Sequence, residues 1–295
     1  MSLATQVAQS KPAETPPVFL CGRTQFSLTR PLVMGIVNIT PDSFSDGGQF
    51  SGAGQAIDYA KRLVEEGADI LDIGGESTRP GADPVSVDEE LRRVIPVLEG
   101  LTSLGVPLSI DSRRPQVMRE ALAVGIDLIN DVNGFRDPEA FSIAVSSNAA
   151  LCIMHMLGEP KTMQQTPSYN DVVEEVTRFL LTQRDAFMAQ GVDRSRIVID
   201  PGFGFGKTFD HNLALMRAIP RFAGLQTTLI GVSRKTMIGQ LINPKAPPAP
   251  PDRMAGSVAA ALWATEKGAQ ILRVHDVAQT VQALRAWNGL SRRSL

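Results

Sequence analysis

Four residues with complementary hydrogen-bonding groups lie where short apolar runs of the sequence end. Asp111, Asn130 and Asp200 each close such a run, and Lys235 follows another. Carboxylates beside an amide and an ammonium group suit a planar heterocycle with adjacent N–H donors and an acceptor. A carboxylate facing such an edge makes two charge-assisted hydrogen bonds, each contributing roughly 1.5–3 kcal/mol away from water. These residues therefore predict a pterin-like ligand, unless Asp111 and Asn130 only cap the helices that follow them.

A second group of residues at the ends of apolar runs carries mostly positive charge. It consists of Asn38, Arg79, Arg273 and His275. Such a set suits an anionic leaving group, with pyrophosphate as the natural candidate, and a hard cation such as Mg2+ would complement it. The alternative is a structural ion pair between Arg273 and either Asp276 or a carboxylate on a neighbouring strand.

The segment 201–208, PGFGFGKT, resembles a phosphate-binding Walker A loop but lacks its first glycine, because Pro201 stands there. We interpret it as a glycine loop that carries an aromatic residue and lines a ligand site. The three histidines and two cysteines have no zinc-like spacing. His155, between two methionines at the end of an apolar run, is expected to be a core histidine. Covalent catalysis by Ser or Cys has no sequence support.

The elements that must position these residues alternate regularly. Apolar runs rich in β-branched residues alternate with amphipathic stretches, which is typical of βα units around a parallel sheet. The eight predicted strands are residues 33–38, 69–73, 107–110, 127–131, 151–155, 196–200, 227–233 and 270–274. Polar residues follow nearly every strand, which favours a closed (β/α)8 TIM barrel, an α/β fold, over an open doubly wound sheet.

Helical patterns occupy the segments between the predicted strands, and several of them end directly at a glycine. Such glycines fit the left-handed position after a helix. They are Gly67, Gly105, Gly125, Gly191 and Gly268. Residues 18–30 predict a hairpin that closes the N-terminal end of the barrel, and the five prolines within 243–251 predict a stiff surface loop.

Composition limits the classes of protein that the chain can represent. With 43% hydrophobic and 20% charged residues, the 295-residue chain can bury one large core, so residues 18–295 are predicted to form a single barrel domain. Residues 1–17 are predicted to be a mobile tail. A net charge of −2 gives no attraction to nucleic acid, and no apolar stretch is long enough to span a membrane. Two cysteines far apart suggest a reducing, cytoplasmic location.

The segments at the strand ends resemble those of the dihydropteroate synthase family of bacterial type, in order from Met34 to about Leu284. The two signature-like segments are MGIVNITPDSFSDGG and DIGGESTRPGA. They are supported by SIDSRRP, INDVNG, MHMLGEPKTMQ, DPGFGFGKT, GVSRK and RVHDV. The resemblance implies an enzyme that joins 6-hydroxymethyl-7,8-dihydropterin pyrophosphate to p-aminobenzoate, gives 7,8-dihydropteroate and pyrophosphate, and is inhibited by sulfonamides.

The resemblance also implies roles for single residues. Asp111, Asn130, Asp200 and Lys235 would hold the pterin. Asn38, Arg79, Arg273 and His275 would hold pyrophosphate, with Asn38 also bound to Mg2+. The residues bordering the p-aminobenzoate pocket would be Thr78, Pro80, Phe205, Ser233 and Arg234. Asp111, Lys235 and Asn38 are predicted to be catalytic, because they would stabilise the charges that form when pyrophosphate departs.

Two glycine-rich loops, residues 40–54 and 75–86, are predicted to be mobile and to fold over the site; they carry Asp46 and Arg79. The resemblance further favours a homodimer. Two other functions remain open from the sequence. One is methyl transfer from a methylated folate, for which the pyrophosphate-type residues would have no use. The other is a catalytically silent pterin-binding relative, which would have lost charges at the strand ends.

Overall fold

The structure of the chain is a computed structural model that describes residues 17–39, 49–77, 81 and 83–291. Its strands are β1 (Val18–Cys21), β2 (Thr24–Ser27), β3 (Leu32–Asn38), β4 (Ile70–Gly74), β5 (Leu108–Asp111), β6 (Leu128–Asp131), β7 (Ala150–Met154), β8 (Ile197–Asp200), β9 (Leu229–Ile230) and β10 (Ile271–Val274). Its helices are α1 (Gln49–Glu65), α2 (Val87–Leu101), α3 (Pro115–Val124), α4 (Pro138–Ser146), α5 (Val172–Ala189), α6 (Phe209–Arg217), α7 (Ile219–Leu225), α8 (Thr236–Ile242), α9 (Met254–Glu266) and α10 (Val277–Leu290).

The strands β3 to β10 form one parallel sheet that closes into a barrel. Their order is β8-β7-β6-β5-β4-β3-β10-β9. The two ends of this order meet where Ile199 pairs in parallel with Thr228, and the Ile199 N–H donates to the Thr227 carbonyl at 2.9 Å. The predicted TIM barrel is thereby confirmed, and the alternative of an open sheet is wrong.

Side chains alternate across each barrel strand, as the period of two in a strand requires. On β4, Leu71 and Ile73 belong to the core between the sheet and the helices, whereas Ile70 belongs to a second core inside the barrel. Asp72 and Gly74 share the inner face with Ile70 because they follow it at steps of two. The inner surface is therefore apolar at the amino ends of the strands and polar at their carboxyl ends.

The hairpin of β1 and β2 closes the amino end of the barrel, as predicted. Phe19 and Cys21 of β1 are fully buried in the inner core, together with Cys152 of β7. Gly22 turns the hairpin with φ of 54°, and a Cβ there would stand 2.7 Å from the Asp127 Cα, so only glycine fits. Both cysteines are free thiols, and burial raises the pKa of each well above its usual value.

Two elements of the structure differ from the sequence prediction. The predicted strand 227–233 is regular only at Leu229–Ile230, because the chain turns after Gly231 and the Lys235 N–H donates to the Val232 carbonyl at 3.1 Å. Helix α7 was not expected; Pro220 lies in its first turn, where the missing N–H costs no hydrogen bond. The glycines predicted to end helices all have positive φ, which confirms that reading.

The proline-rich segment 243–251 is a surface loop, as predicted, up to a short 3-10 turn at Pro250–Arg253. The Asn243 Oδ1 accepts the N–H groups of Lys245 and Ala246 at 3.1 Å each. Arg253 donates to the Pro248 carbonyl and also to the Arg234 carbonyl, at 2.8 and 2.9 Å. The loop is thus tied to the turn that follows β9. The predicted tail lies almost wholly outside the described residues.

Candidate active site

A fully buried carboxylate on β4, that of Asp72, lies at the centre of the polar layer inside the barrel. Its Oδ2 accepts from the Arg273 Nε at 2.5 Å, and its Oδ1 accepts from the Ser109 hydroxyl at 2.5 Å. Arg273 donates from Nη2 to the Asp111 Oδ2, also at 2.5 Å. Because these acids flank it, the pKa of Arg273 is raised further above its ordinary value even though the side chain is desolvated. Arg273 is a fixed cation between two carboxylates.

The amide of Asn130 is oriented by the same carboxylate. Its Nδ2 donates to the Asp72 Oδ2 at 3.2 Å. Because the Nδ2 is the atom bound to Asp72, the amide oxygen is the group of Asn130 that could accept from a ligand donor. Asn130 does not cap a helix here; the buried acid that holds a turn in this region is Asp131, which accepts from the N–H groups of Asn133 and Phe135. Capping was the alternative for Asn130, and it is wrong.

Asp111 presents one oxygen to Arg273 and one that is unused. Among the described residues its Oδ1 is buried without a hydrogen-bond partner. Burial raises the pKa of Asp111 to about 7, although the Arg273 charge opposes the shift. A buried acceptor without a donor costs roughly 1–3 kcal/mol, so the cluster is incomplete until a ligand supplies one.

Asp200 and Lys235 lie on the opposite side of the barrel mouth. The Asp200 Oδ1 accepts the Gly202 N–H at 2.7 Å, and burial raises the pKa of this acid. A Cβ on Gly231 would stand 3.9 Å from the Asp200 Oδ2 and 3.8 Å from the Arg273 Cδ, so Asp200 and Arg273 approach each other across Gly231. Burial lowers the pKa of Lys235 to about 8, while Asp200 opposes the shift.

The glycine loop 201–208 borders Lys235. Lys235 donates to the Phe203 carbonyl, and its Nζ lies 4.6 Å from the centre of the Phe205 ring, a cation–π contact. A Cβ on Gly202, where φ is 71°, would stand 1.9 Å from the His155 carbonyl oxygen. The loop therefore packs directly against the end of β7. The loop lines the site. Its lysine, Lys207, is buried beneath the loop and so does not reach out to a nucleotide phosphate.

Asn38 ends β3 beside Gly74 of β4. A Cβ on Gly74 would lie 3.6 Å from the Asn38 Oδ1 and 3.8 Å from the Asp111 Oδ2, so both oxygens face the same small space. In the described part of the chain, no group of three or more His, Cys, Asp or Glu side chains could cage a metal ion. An amide oxygen at the barrel mouth does fit Mg2+, which usually keeps several waters and binds substrate phosphates.

Ser233, Arg234 and His275 meet behind the turn that follows β9. The Ser233 hydroxyl oxygen accepts the His275 N–H at 3.2 Å and lies 3.1 Å from its Nδ1. Arg234 has a left-handed backbone with φ of 58°, and its guanidinium pairs with Asp276. Arg273 is therefore not the partner of Asp276. The ion pair considered for Arg273 exists instead with the strand carboxylates Asp72 and Asp111.

Most of the predicted site residues that the structure describes converge at the carboxyl end of the barrel. The two groups separated in the sequence are joined, since Arg273 of one binds Asp111 of the other. Asp46, Thr78, Arg79 and Pro80 lie outside the described residues, as do parts of both predicted mobile loops.

Sequence reasoning missed Asp72, because only the residues at strand ends were considered. The available signal was a charged residue in the middle of an apolar strand, one alternation step before Gly74.

The prediction for His155 is confirmed. It is buried, its ring contacts Phe179, and burial lowers its pKa to about 2.

Comparisons with known proteins identify the family of the chain. The family described as "Pterin binding enzyme" matches residues 34–275. The chain is 51% identical over 278 residues to the dihydropteroate synthase of Neisseria meningitidis serogroup C, covering 92% of this chain and 97% of that protein.

Two solved structures are similar over nearly their whole length. One is the Xanthomonas albilineans dihydropteroate synthase with 4-aminobenzoic acid, at 49% identity and a TM-score of 0.87, covering 94% of this chain and 99% of that one. The other is the Yersinia pestis dihydropteroate synthase in complex with a sulfonamide drug, at 42% identity and a TM-score of 0.86, covering 93% and 99%. The family model covers most of the chain, and the relatives are about half identical to it over nearly their whole length. The chain therefore belongs to the dihydropteroate synthase family of pterin-binding enzymes.

Proposed function

We propose that the chain condenses 6-hydroxymethyl-7,8-dihydropterin pyrophosphate with p-aminobenzoate and releases pyrophosphate and 7,8-dihydropteroate. The observation that carries this proposal is the inner polar layer. It offers the acceptor oxygens of Asp200, Asn130 and Asp111 to a flat donor-rich ring, beside the fixed cation Arg273. Methyl transfer would not need these charges together, and the relatives named above are synthases.

The pterin would lie across this layer. Asp200 would accept from adjacent N–H groups of the ring, and the Asn130 amide oxygen would accept from a further donor. The Lys235 ammonium, held by the Phe203 carbonyl, would donate to a ring acceptor. Asp111 would face the exocyclic carbon from which pyrophosphate departs, so that its carboxylate stabilises the positive charge developing on the pterin.

The departing pyrophosphate would be bound by Arg273 and His275, together with Arg79 from loop 75–86. Asn38 would hold Mg2+, which supplies further positive charge to the phosphate oxygens when bound. No strong base is needed, because a neutral aromatic amine already has a free lone pair. The protein's task is to stabilise the leaving anion, orient the amine and exclude water.

We propose that p-aminobenzoate, and sulfonamides in its place, bind beside the Phe205 ring. Ser233 and Arg234 would border this pocket with Thr78 and Pro80. The ring of Phe205 packs against a small apolar cluster of Val132, Met154, Met156 and Met163, and the Lys235 Nζ lies 4.6 Å from its centre. An aromatic amine placed there would lie next to the pterin that Lys235 contacts.

The direct test is pyrophosphate release by the purified protein given the dihydropterin pyrophosphate, with and without Mg2+ and p-aminobenzoate. We expect release that depends on Mg2+ and dihydropteroate that forms only with the amine. Tight pterin binding without either product would instead establish the catalytically silent relative.

Phe205→Leu should raise the KM for p-aminobenzoate and the inhibition constant of a sulfonamide by about tenfold, because the aliphatic side chain loses the aromatic contact. The KM for the pterin pyrophosphate should change less than about threefold. Steady-state kinetics with each substrate varied in turn checks this, and Leu290→Ala, at a residue that is 84% exposed, is the surface control. Equal losses for both substrates would contradict a separate amine pocket.

The pH dependence of kcat/KM should be bell-shaped. The carboxylate of Asp111 is lost as pH falls through its raised pKa of about 7, so activity falls on the acid side. The ammonium of Lys235 is lost as pH rises through its lowered pKa of about 8, so activity falls on the alkaline side. Circular dichroism at each pH excludes unfolding. A profile that is flat from about pH 6 to about pH 9 would contradict both roles.

We also propose that the protein forms a homodimer through α8 and α9. Leu241, Ile242 and Trp263 are each about half exposed there, around an apolar groove of about 480 Å³. Exposed apolar patches of this kind mark association surfaces. Light scattering should give twice the monomer mass, and Trp263→Glu should give the monomer mass. A monomeric wild type would reject the proposal.

The buried free thiols support a reducing location such as the cytoplasm.

In the part of the chain that the structure describes, no helix has the length and apolar character needed to cross a membrane.

A further inference from the structure

Lys207 is a buried lysine whose amino group contacts two carbonyls and a ring nitrogen in the described part of the chain. Its side chain is nearly inaccessible, with 2% of the residue exposed. The Nζ donates to the Phe205 carbonyl at 3.0 Å and to the His155 carbonyl at 3.2 Å, and it lies 3.0 Å from the His155 Nδ1. These contacts are made by the amino group at the end of the side chain. Lys207 therefore joins the end of β7 to the glycine loop after β8.

The buried site of the Lys207 amino group is unfavourable for a charge. This indicates that Lys207 lies there to hold the loop in place. Burial lowers the pKa of Lys207 well below its usual value; Asp200 opposes this shift, whereas Lys235 and Arg136 add to it. The partner imidazole of His155 is neutral, because burial lowers its pKa as well. A structural ion pair would have provided a carboxylate at bonding distance, and here the bonded partners are two carbonyls and a ring nitrogen.

The loop that Lys207 holds is fixed along its whole length. The Gln164 Nε2 donates to the Gly204 carbonyl at 2.8 Å, and Tyr169 donates to the Gly206 carbonyl at 2.8 Å. The Asn212 Oδ1 accepts the Gly204 N–H at 2.8 Å. Phe205 lies between these points, and the contact that holds its own carbonyl is the one from Lys207. The Phe205 N–H donates to the Gly202 carbonyl at 3.2 Å and its carbonyl accepts from Lys207, so Lys207 holds the residue whose ring lies beside Lys235.

We infer that Lys207 is a positioning residue for the amine substrate: by holding the Phe205 and His155 carbonyls together from below, it fixes the Phe205 ring that borders the proposed p-aminobenzoate pocket. This inference rests on the proposed function. It assigns to the lysine of the GFGFGK segment a role beneath the pocket, away from the phosphates. Lys207 touches neither substrate and acts through Phe205.

Lys207→Met tests the inference, because it keeps the length of the side chain and removes its donors. The KM for p-aminobenzoate and the inhibition constant of a sulfonamide should both rise about tenfold, since small displacements of a positioning group weaken binding strongly. The KM for the pterin pyrophosphate should change less than about threefold. The matched control is Lys245→Met on the exposed proline-rich loop, which should behave as wild type.

A double-mutant cycle separates positioning from a general structural role. If Lys207 acts through Phe205, adding Lys207→Met to Phe205→Leu should raise the KM for p-aminobenzoate less than about twofold further. Independent effects that multiply would overturn the inference, and so would equal losses for both substrates. If Lys207→Met does not fold, Lys207→Gln, which keeps one N–H donor group, replaces it; failure of both to fold would make Lys207 a folding residue and overturn the inference. Absence of turnover in the wild type would reject the proposed function itself.

Discussion

Asp200→Asn should weaken binding of the dihydropterin pyrophosphate by about 100-fold or more. The Gly202 N–H would keep the amide oxygen, as it now keeps the Asp200 Oδ1. The amide NH2 would then face the pocket, where it presents donors to the donors of the pterin. The loss of two charge-assisted bonds of roughly 1.5–3 kcal/mol each is more than enough for this effect. Isothermal titration calorimetry with the dihydropterin pyrophosphate measures it.

The matched control for this variant is Asp210→Asn, since Asp210 is an exposed acid in the first turn of α6. It should bind the pterin pyrophosphate as the wild type does. Near-normal affinity of Asp200→Asn combined with lost turnover would contradict a binding role and assign Asp200 to the chemical step.

Asp72→Asn should lower the free energy of unfolding by about 3–5 kcal/mol, because the buried Arg273 would lose one of the two carboxylates that balance its charge. The Arg273 Nε would lose its carboxylate, and the Asn130 amide would lose the acceptor that orients it. Turnover should fall together with stability. Urea denaturation followed by circular dichroism gives the stability change, and kcat/KM for the pterin pyrophosphate gives the functional one.

Glu139→Gln is the control for Asp72→Asn, because it removes the acid of an ion pair with Arg119 in which both side chains are about half exposed. Such a pair contributes about 0–1 kcal/mol, so the variant should stay close to the wild type. If Asp72→Asn costs as little as Glu139→Gln, then Asp72 is not the centre of the inner layer.

The barrel and most of its mouth could be predicted because strand ends are visible in the sequence. Asp111 and Asp200 are the last residues of β5 and β8, and Asn130 is the penultimate residue of β6, so all three lie at the strand ends that the sequence pattern indicated. Strand alternation also determines which of two neighbours faces the interior. It separates Asn130, whose amide binds Asp72 inside the barrel, from Asp131, whose carboxylate holds a turn.

Pairing between distant residues could not be predicted in the same way. Arg273 was expected in an anion-binding group, with an ion pair to Asp276 or to a strand carboxylate as the alternative. It binds Asp72, 201 positions earlier in the chain, and the sequence did not identify this acid. Which acid an arginine meets depends on the register between strands, and apolar periodicity does not fix that register closely. Lys207 was dismissed with the Walker-like motif, because no local pattern reveals that a lysine turns inward onto two carbonyls.

The two buried thiols at the amino end of the barrel can report how often this end opens. Neither Cys21 nor Cys152 is accessible, and they lie on the hairpin and on β7 respectively. A thiol reagent can modify them only when the protein opens locally, so the modification rate reports how often each element detaches. Faster labelling of Cys21 than of Cys152 would show that the hairpin leaves while the barrel stays intact, and equal rates would show that both open in one cooperative event.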